Sequence, residues 1–542
     1  MRLDNFVQTI HTLFHADHRR SQDPPTGTSN RGALVSGTPQ RLSRSHHGAV
    51  PLPETPARAG ILHLGLGSFH RAHQAVYTAA AIAADGGDWG IVGVASRSRT
   101  VVDAMRAQDL LSSVATISPE GMSLSIPGVH TDAFVAADEP QRVVESIADP
   151  DIRIVTLTVT ENGYSSSPAT GRLDTADPTI VSDLRGGHPH STIGQLARGI
   201  QRRAAASGAP LTILSCDNLA ANGARTKALV REFLEALPAS EGGEALAFLE
   251  SSVSFPSSMV DRIVPSTTPA LRSEVSSLLG AWDEIPVPAE PFTMWAVEDD
   301  FAAGRPAWEA GGAVFSTEVG RYEDMKVRLL NGTHSLIAYL GALQNAESIP
   351  DAVGRPAIER AARAVLAHEY TPSIQVPSGV DIAEYERQLF LRWGNTALGH
   401  KTSQVGTDGS VKLRQRIPEP ALRLLDRGEM PHMIALTVAA YLSCIAPRPG
   451  FDPGPFAAAM KDAARERLIP LAGSARTGAD LAAASITDLG LFGADLADRP
   501  AFIERVGELV DTIERDGVSA AITESVTAAE TDIRSRASEV PA

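Results

Sequence analysis

Cysteine is scarce in this sequence, basic charge is in deficit, and no apolar run is long enough to span a bilayer. The 542 residues include only two cysteines, Cys216 and Cys444. They stand far apart without metal-ligand spacing, which argues against a disulfide framework or a cysteine zinc site and fits a reducing cytoplasm. No other metal-ligand pattern is read. Lys and Arg number 48 against 64 Asp and Glu, a formal net charge of -16. So acidic a chain is unsuited to nucleic acid or an anionic membrane as its main partner. The longest uncharged apolar run, Met433 to Pro447, falls short of the ~20 residues that a span requires and reads as a buried helix. The N-terminus has neither the apolar core nor the small-residue cleavage site of a signal peptide. What remains is an ordinary soluble composition, 43% hydrophobic and 21% charged, with length for about two to four domains.

Residues 1–57, rich in Ser, Thr, Pro, Arg and His, read as a disordered or weakly ordered extension. Phe6, Ile10, Leu13 and Phe14 suggest one amphipathic helix at its start. Order begins at GILHLGLGSFHRAHQAVY. The apolar strands Ile61–Leu64, Trp89–Ser96, Ile152–Thr160 and Pro210–Asn218 alternate with helical segments. That alternation predicts an α/β fold with a Rossmann-like, doubly wound parallel sheet over residues 58–290. Residues 291–542 form a mostly helical substrate or catalytic domain. Its helices are read at Met325–Gln344, Ala357–Glu369, Met433–Ser443, Pro455–Arg467 and Ala501–Arg515. The tail after about Thr523 is small and polar.

A dinucleotide pyrophosphate rests on a tight glycine turn between the first strand and helix, where free N–H groups and a positive dipole end are offered. Gly65 and Gly67 fill the first two positions of that fingerprint. Phe69 and His70 carry the turn into the helix, and His70 stands where a third glycine is usual. A GxG after a strand is weak evidence alone. The second strand should end in an acidic residue for the adenosine ribose. Here VASRSRT places Arg97 and Arg99 instead, which admits a 2′-phosphate and leaves NAD and NADP both open. Those arginines read equally well as solvated loop residues.

Strand C-terminal ends in such sheets face the ligand crevice. TENGY brings Glu161 there, SCDN brings Asp217 and Asn218, and SFPSSMVDRIVP adds Asp261 and Arg262. The helix EDMKVRLLNGTHSLIAYL then sets Lys326, Asn331 and His334 among apolar residues. Asn331 and His334 are neighbours on one face. On an ideal α-helix Lys326 lies ~140° around from Asn331 and ~7.5 Å along the axis, so the three span a broad face. Lysine can serve as the base in alcohol oxidation if desolvation draws its pKa toward neutrality. Amides such as Asn218 and Asn331 can hold a developing oxyanion, and His334 can orient a second oxygen. Each residue taken singly has a bland reading: a snorkelling lysine, a capping asparagine, a satisfied core histidine. The combination favours the functional one over a non-catalytic binder that kept its nucleotide domain.

With these residues assembled, the sequence resembles the polyol-specific long-chain dehydrogenases over roughly residues 58–515. The motifs that carry the resemblance are HLGLGSFHRAHQAVY, LTVTENGY, SCDNLAANG, FPSSMVDRIVP, EPFTMWAVEDDFAAGRP and YEDMKVRLLNGTHSLIAYLG. The resemblance implies that Lys326 is the general acid/base and that Asn218 and Asn331 form the oxyanion hole. It implies proton exchange through Glu323, an aspartate near the lysine at Asp261, and no zinc. GHKTSQVGTDGSVKLRQR, from Gly399 to Arg416, looks like the uronate-reducing members. Lys412, Gln404, Arg416 and His400 are then the substrate-binding candidates, since a sugar-acid carboxylate wants cationic partners. Their bland reading is a solvated basic turn. Arg414 departs from the uronate pattern, where proline is frequent. The implied reaction is D-fructuronate to D-mannonate, with D-mannitol and D-fructose as the alternative pair.

Overall fold

The computed structural model describes residues 40–167 and 170–539. The amphipathic helix read at the start of the chain lies outside them. The chain divides into two compact units, with the division between Gly320 and Arg321.

The first unit contains strands β1 (Ala59–Leu64), β2 (Gly90–Ala95), β3 (Val114–Ser118), β4 (Gly121–Ser125), β5 (His130–Val135), β6 (Ile154–Leu157), β7 (Leu211–Ser215), β8 (Val253–Ser254), β9 (Ser258–Asp261), β10 (Val287–Ala289), β11 (Met294–Val297) and β12 (Val314–Phe315). Six of them form one sheet in the order β5-β2-β1-β6-β7-β8, with every pair parallel. A parallel sheet is covered on both faces, so its strands are apolar throughout. Alternate side chains divide between two cores. Leu62, Leu64, Val155 and Leu157 face the helices Pro140–Ala148, Thr192–Ala206 and Asn222–Glu235. Ile61, Ile91, Ile154 and Leu214 face a cluster built around Tyr77, Trp295 and Trp308. From β1 the chain moves outward to β2 and β5, then returns to β6 and runs the other way. The strand order therefore reverses between β1 and β6, and ligands bind at such a switch point.

β11 pairs antiparallel with β9, and β12 parallel with β11. This small sheet carries the first unit past residue 290. The extension is not loose from Gln40 onward. Leu42 is fully buried beside Leu111, Ile126 and Leu279. The Leu42 N–H donates to the Trp282 carbonyl at 2.9 Å, and the Trp282 N–H to Gln40 at 2.8 Å. Arg44 adds bonds to Asp109 and to the Gly128 carbonyl, and such contacts with distant segments order a stretch whose composition alone reads as disorder.

The second unit is helical around His432–Ile445, all of whose residues are buried. A helix that is apolar on every side belongs in a core. It packs against Thr333–Leu343, Pro500–Asp516 and Val518–Glu539. Val518–Glu539 continues as helix through the small, polar tail, seated by Val526 and Ala529. The helix read at Pro455–Arg467 is instead a four-residue turn, Pro455–Ala458, followed by an irregular stretch and a helix from Arg465. Backbone bonds leave the local ladder there. The Asp408 N–H donates to the Lys461 carbonyl at 2.8 Å, and the Lys461 N–H to Thr407 Oγ1 at 3.2 Å. Among the described residues no helix is long and apolar enough to cross a membrane.

Candidate active site

The turn after β1 requires glycine at one position. Gly65 has φ +109°, and a Cβ there would stand 2.1 Å from the Thr158 carbonyl oxygen. Only glycine lets the turn pass this close to the end of β6. The N–H groups of Gly65 and Leu66 both donate to Val94, at 2.8 and 2.9 Å. Gly67, at φ -116°, precedes the helix Ser68–Ala72, whose start has no side-chain cap. The first N–H groups of that helix thus lack a side-chain acceptor, which suits an anionic group resting on the turn. Gly67, Ser68 and Phe69 would hold a pyrophosphate there through the backbone. Phe69 itself is half-buried and stacks on His73 at 4.9 Å.

His70 turns inward, into the core. Its ring stacks on His63 with centroids 3.4 Å apart, and its Nε2 lies 3.1 Å from Nε2 of His130. Gly93 makes room: a Cβ there would meet Leu66 at 3.0 Å and the His130 ring at 3.4 Å. Burial holds all three imidazoles neutral. It lowers His63 and His130 to about 3 and His70 well below its usual range, helped by the other two histidines. His63 bonds Thr156 Oγ1 at 2.8 Å and Thr158 Oγ1 at 3.0 Å. It therefore pins β1 to β6 just before the turn.

At the end of β2, Arg97 is exposed and makes no bond to the described residues, whereas Arg99 pairs with Asp138 at 2.6 Å. Glu161 is exposed and opens a short 3₁₀ turn after β6. Asp217, after β7, has a structural task. It accepts the N–H groups of Val159 and Thr160 at 3.1 and 2.9 Å and the Tyr164 hydroxyl at 2.8 Å. Burial raises its pKa against those bonds. Asn218 beside it is exposed. Asn222, which the sequence reading passed over, joins this loop to β9: its amide donates to the Asp217 and Ser258 carbonyls at 3.1 and 2.7 Å. Asp261 ends β9 in a buried position. Arg262 is a pin as well, donating to the Glu290 carbonyl at 3.1 Å.

The second unit carries Lys326, Asn331 and His334 on one continuous helix whose middle changes register. Val319–Met325 is α-helical, Lys326–Gly332 is π-helical, and Thr333–Leu343 is α-helical again. In a π segment the N–H of residue i+5 meets the carbonyl of residue i, so residues five apart sit one turn apart. Lys326 and Asn331 are such a pair. The wider turn thus reduces the angular offset expected of an ideal α-helix and draws Lys326 and Asn331 toward one face. Nothing in the composition of KVRLLNG announces this. Lys326 is only 7% exposed, Asn331 is half-buried, and Glu323 is half-buried in the preceding α turn.

The His334 ring faces His400 at 5.9 Å and Trp393 at 6.4 Å. Its Nε2 is buried with no hydrogen-bond partner, so it is available to a ligand oxygen. Its pKa is held well down by burial, then by the positive fields of His400, Arg416, Arg392 and Lys412. Burial also lowers His400, Lys412 and Arg416. Lys412 donates to Thr407 and Val405 carbonyls at 2.7 and 3.4 Å, which leaves its third donor. Gln404 is exposed on the short helix Thr402–Gly406. Arg392, on the helix Ile382–Trp393, was not foreseen. Its only sequence signal is a charge set next to Trp393 near the end of an amphipathic helix.

Two sequence profiles match this chain: the mannitol dehydrogenase Rossmann domain over residues 59–310 and the mannitol dehydrogenase C-terminal domain over residues 318–514. The chain belongs to the mannitol dehydrogenase family. Within that family it is 37% identical over 483 residues to the uncharacterized oxidoreductase YeiQ of Escherichia coli, covering 88% of this chain and 97% of that one. It is 38% identical over 387 residues to the D-mannonate oxidoreductase of the same organism, covering 70% and 79%. The mannitol 2-dehydrogenase of Pseudomonas fluorescens, solved as a ternary complex with NAD and D-mannitol, superimposes with a TM-score of 0.75. It shares 32% identity and covers 88% of this chain and 96% of that one. Membership of the mannitol dehydrogenase family makes the chain an oxidoreductase with a Rossmann-like domain and a helical C-terminal domain.

Proposed function

We propose that this oxidoreductase reduces D-fructuronate to D-mannonate reversibly, with NAD as cofactor, in the cytoplasm. One observation carries the choice of a sugar acid: besides the His400 imidazole, the groups that act most on His334 are the cations Arg416, Arg392 and Lys412, and none of them is an acid. A neutral polyol gains little from such surroundings, whereas a carboxylate needs cationic partners. The resemblance to a D-mannonate oxidoreductase over 70% of the chain supports the same reading. The competing substrate pair, D-mannitol and D-fructose, is favoured by the likeness to the Pseudomonas enzyme.

NAD, when bound, supplies hydride chemistry, and the turn at Gly65 to Phe69 would hold it. Lys326 takes the hydroxyl proton in oxidation and returns it to the carbonyl oxygen in reduction. Its burial keeps water from competing for that proton. Asn331, one π turn along, donates to the oxygen as it gains charge, and the resemblance gives Asn218 the second amide. His334 offers its unpartnered Nε2 to another substrate hydroxyl. Glu323 passes the proton to solvent, and the resemblance gives Asp261 the role of the aspartate associated with the lysine. Lys412, His400 and Arg392 face the carboxylate, and Gln404 stands at the rim. The exposed Arg97 allows NADPH as a weaker alternative, and Glu161 borders the cofactor side.

The deciding experiment compares NADH oxidation with D-fructuronate and with D-fructose. A kcat/KM at least ~10²-fold higher for the uronate is expected, since a site built to bind a carboxylate discriminates against a ligand that lacks one. A preference for D-fructose would overturn the sugar-acid reading and leave the polyol one.

A further inference from the structure

We propose that Arg416 is a positioning residue that holds the catalytic helix in its π register by gripping the junction at Asn331 and Ser335. The idea rests on the reading that Lys326 and Asn331 carry the chemistry, and it assigns Arg416 a task other than binding substrate.

The π segment ends at Gly332, directly after Asn331. Where a helix changes from one hydrogen-bond spacing to another its ladder is disturbed, and a buried carbonyl there needs a partner from elsewhere. The Asn331 carbonyl has two side-chain donors. Arg416 Nη1 donates to it at 3.1 Å, and Ser335 Oγ donates at 3.1 Å. Arg416 Nη1 also donates to Ser335 Oγ at 2.7 Å, closing a triangle of three bonds. Ser335 reaches back four residues within the helix, whereas Arg416 approaches from outside it.

Arg416 can do this because its own position is set independently. It closes the helix Gly409–Arg416, and Leu413 in that helix is fully buried. Gly409 packs against Tyr339 and Tyr441: a Cβ there would lie 2.4 Å from the Tyr339 hydroxyl. Tyr339 belongs to the catalytic helix itself. The helix carrying Arg416 is thus seated on a later turn of the helix it braces, and the guanidinium spans back to the junction. Guanidinium suits the task because its charge-assisted bonds are strong and its geometry is rigid. Tyr370 fills the space beside Gly332, next in the chain after Asn331.

The remaining donors of Arg416, Nε and Nη2, make no bond to the described residues. A rival assignment therefore has Arg416 binding the substrate carboxylate directly. The two assignments differ in what they predict for Arg416→Ala. As a positioning residue its loss should lower kcat ~10²-fold, the scale of an ångström of misplacement. KM should change little, and D-fructuronate and D-fructose should suffer equally. Hydrogen exchange should rise in the peptide 323–340 and not across the rest of the second unit. Arg416→Lys should recover part of kcat, and Ser335→Ala should show the same signature more weakly. A rise in KM confined to the uronate, with unchanged exchange in that peptide, would overturn the proposal in favour of direct binding. Unchanged kcat and exchange in Arg416→Ala would also overturn it, provided Asn331→Ala is inactive. If Asn331→Ala is itself fully active, the failure belongs to the catalytic reading beneath it.

Discussion

The ring of Tyr370 occupies the space that any side chain on Gly332 would need. A Cβ on Gly332 would sit 2.6 Å from both Cζ and the hydroxyl of Tyr370. Tyr370 ends a second π segment, Leu366–Tyr370, so two widened helices touch where one of them carries the candidate catalytic residues. Gly332→Ala should therefore cost about 1–3 kcal/mol by overpacking and lower kcat as well. Urea unfolding together with turnover would check it. Wild-type stability in the variant would mean that the tyrosine yields freely.

Lys326 is the sharpest test of the proposed chemistry. Lys326→Ala should reduce kcat by ~10²–10⁴, the range for loss of a general acid/base, and should flatten the alkaline part of the pH profile. NADH affinity, read by fluorescence titration, should stay within a small factor of wild type, because the turn at Gly65 belongs to the first unit. Near-normal turnover would remove the lysine from the mechanism.

The two glycines of the nucleotide turn should behave differently. Gly65→Ala forces a Cβ into the Thr158 carbonyl at a positive φ, and backbone strain of that kind costs about 1–3 kcal/mol. Gly67 has an ordinary extended φ, and a Cβ there would meet only the Gly65 carbonyl at 3.6 Å. Gly65→Ala should lose stability and NADH binding together, whereas Gly67→Ala should keep its stability. Equal thermal stability of the two variants would contradict this ranking.

Glu369 makes stability depend on pH in an unusual direction. It is buried and accepts the N–H groups of Met433 and Ile434 at 2.7 Å each, at the start of the central helix of the second unit. Burial raises its pKa to about 8, against the pull of those two bonds. A carboxyl with a raised folded pKa binds its proton more tightly when folded. Its stabilising contribution is complete below the unfolded value near 4.5 and is lost as pH rises through about 8. Glu369→Gln should thus lose ground to wild type at pH 5 and gain on it at pH 9. Melting temperatures at those two pH values would show the crossover, and a constant gap between the proteins would refute it.

Fold class and most of the motif residues were legible in the sequence because they follow from local rules. Ile61, Ile154 and Leu214 lie in short apolar runs, and such runs alternating with helices leave few arrangements besides a parallel sheet. Lys326, Asn331 and His334 stand out because polar groups on an apolar helix require a reason. What could not be read depends on contacts between distant segments. Leu42 is ordered by Trp282, far along the chain. His70 is buried against His63 and His130, which stand on two different strands. Arg392 comes near His334 only once its helix has packed. The π register is hidden for the same reason: it is maintained by Arg416, Ser335 and Tyr370, and α-helix geometry is the only guide when those neighbours are unknown.

A π segment is, in effect, an α-helix that has absorbed extra chain without breaking. Removing one residue between Lys326 and Asn331 would let the helix relax to regular α geometry, keep its apolar side chains and still fold. Lysine and asparagine would then be four apart, about 40° from alignment, and the residues before the deletion would turn relative to His334 by no more than about that angle. The wider turn in KVRLLNGTH therefore acts as a take-up that lets the helix carry one more residue while keeping its first half clocked against its second. A one-residue deletion there should disturb the alignment of Lys326 with His334 less than the same deletion in a regular α-helix.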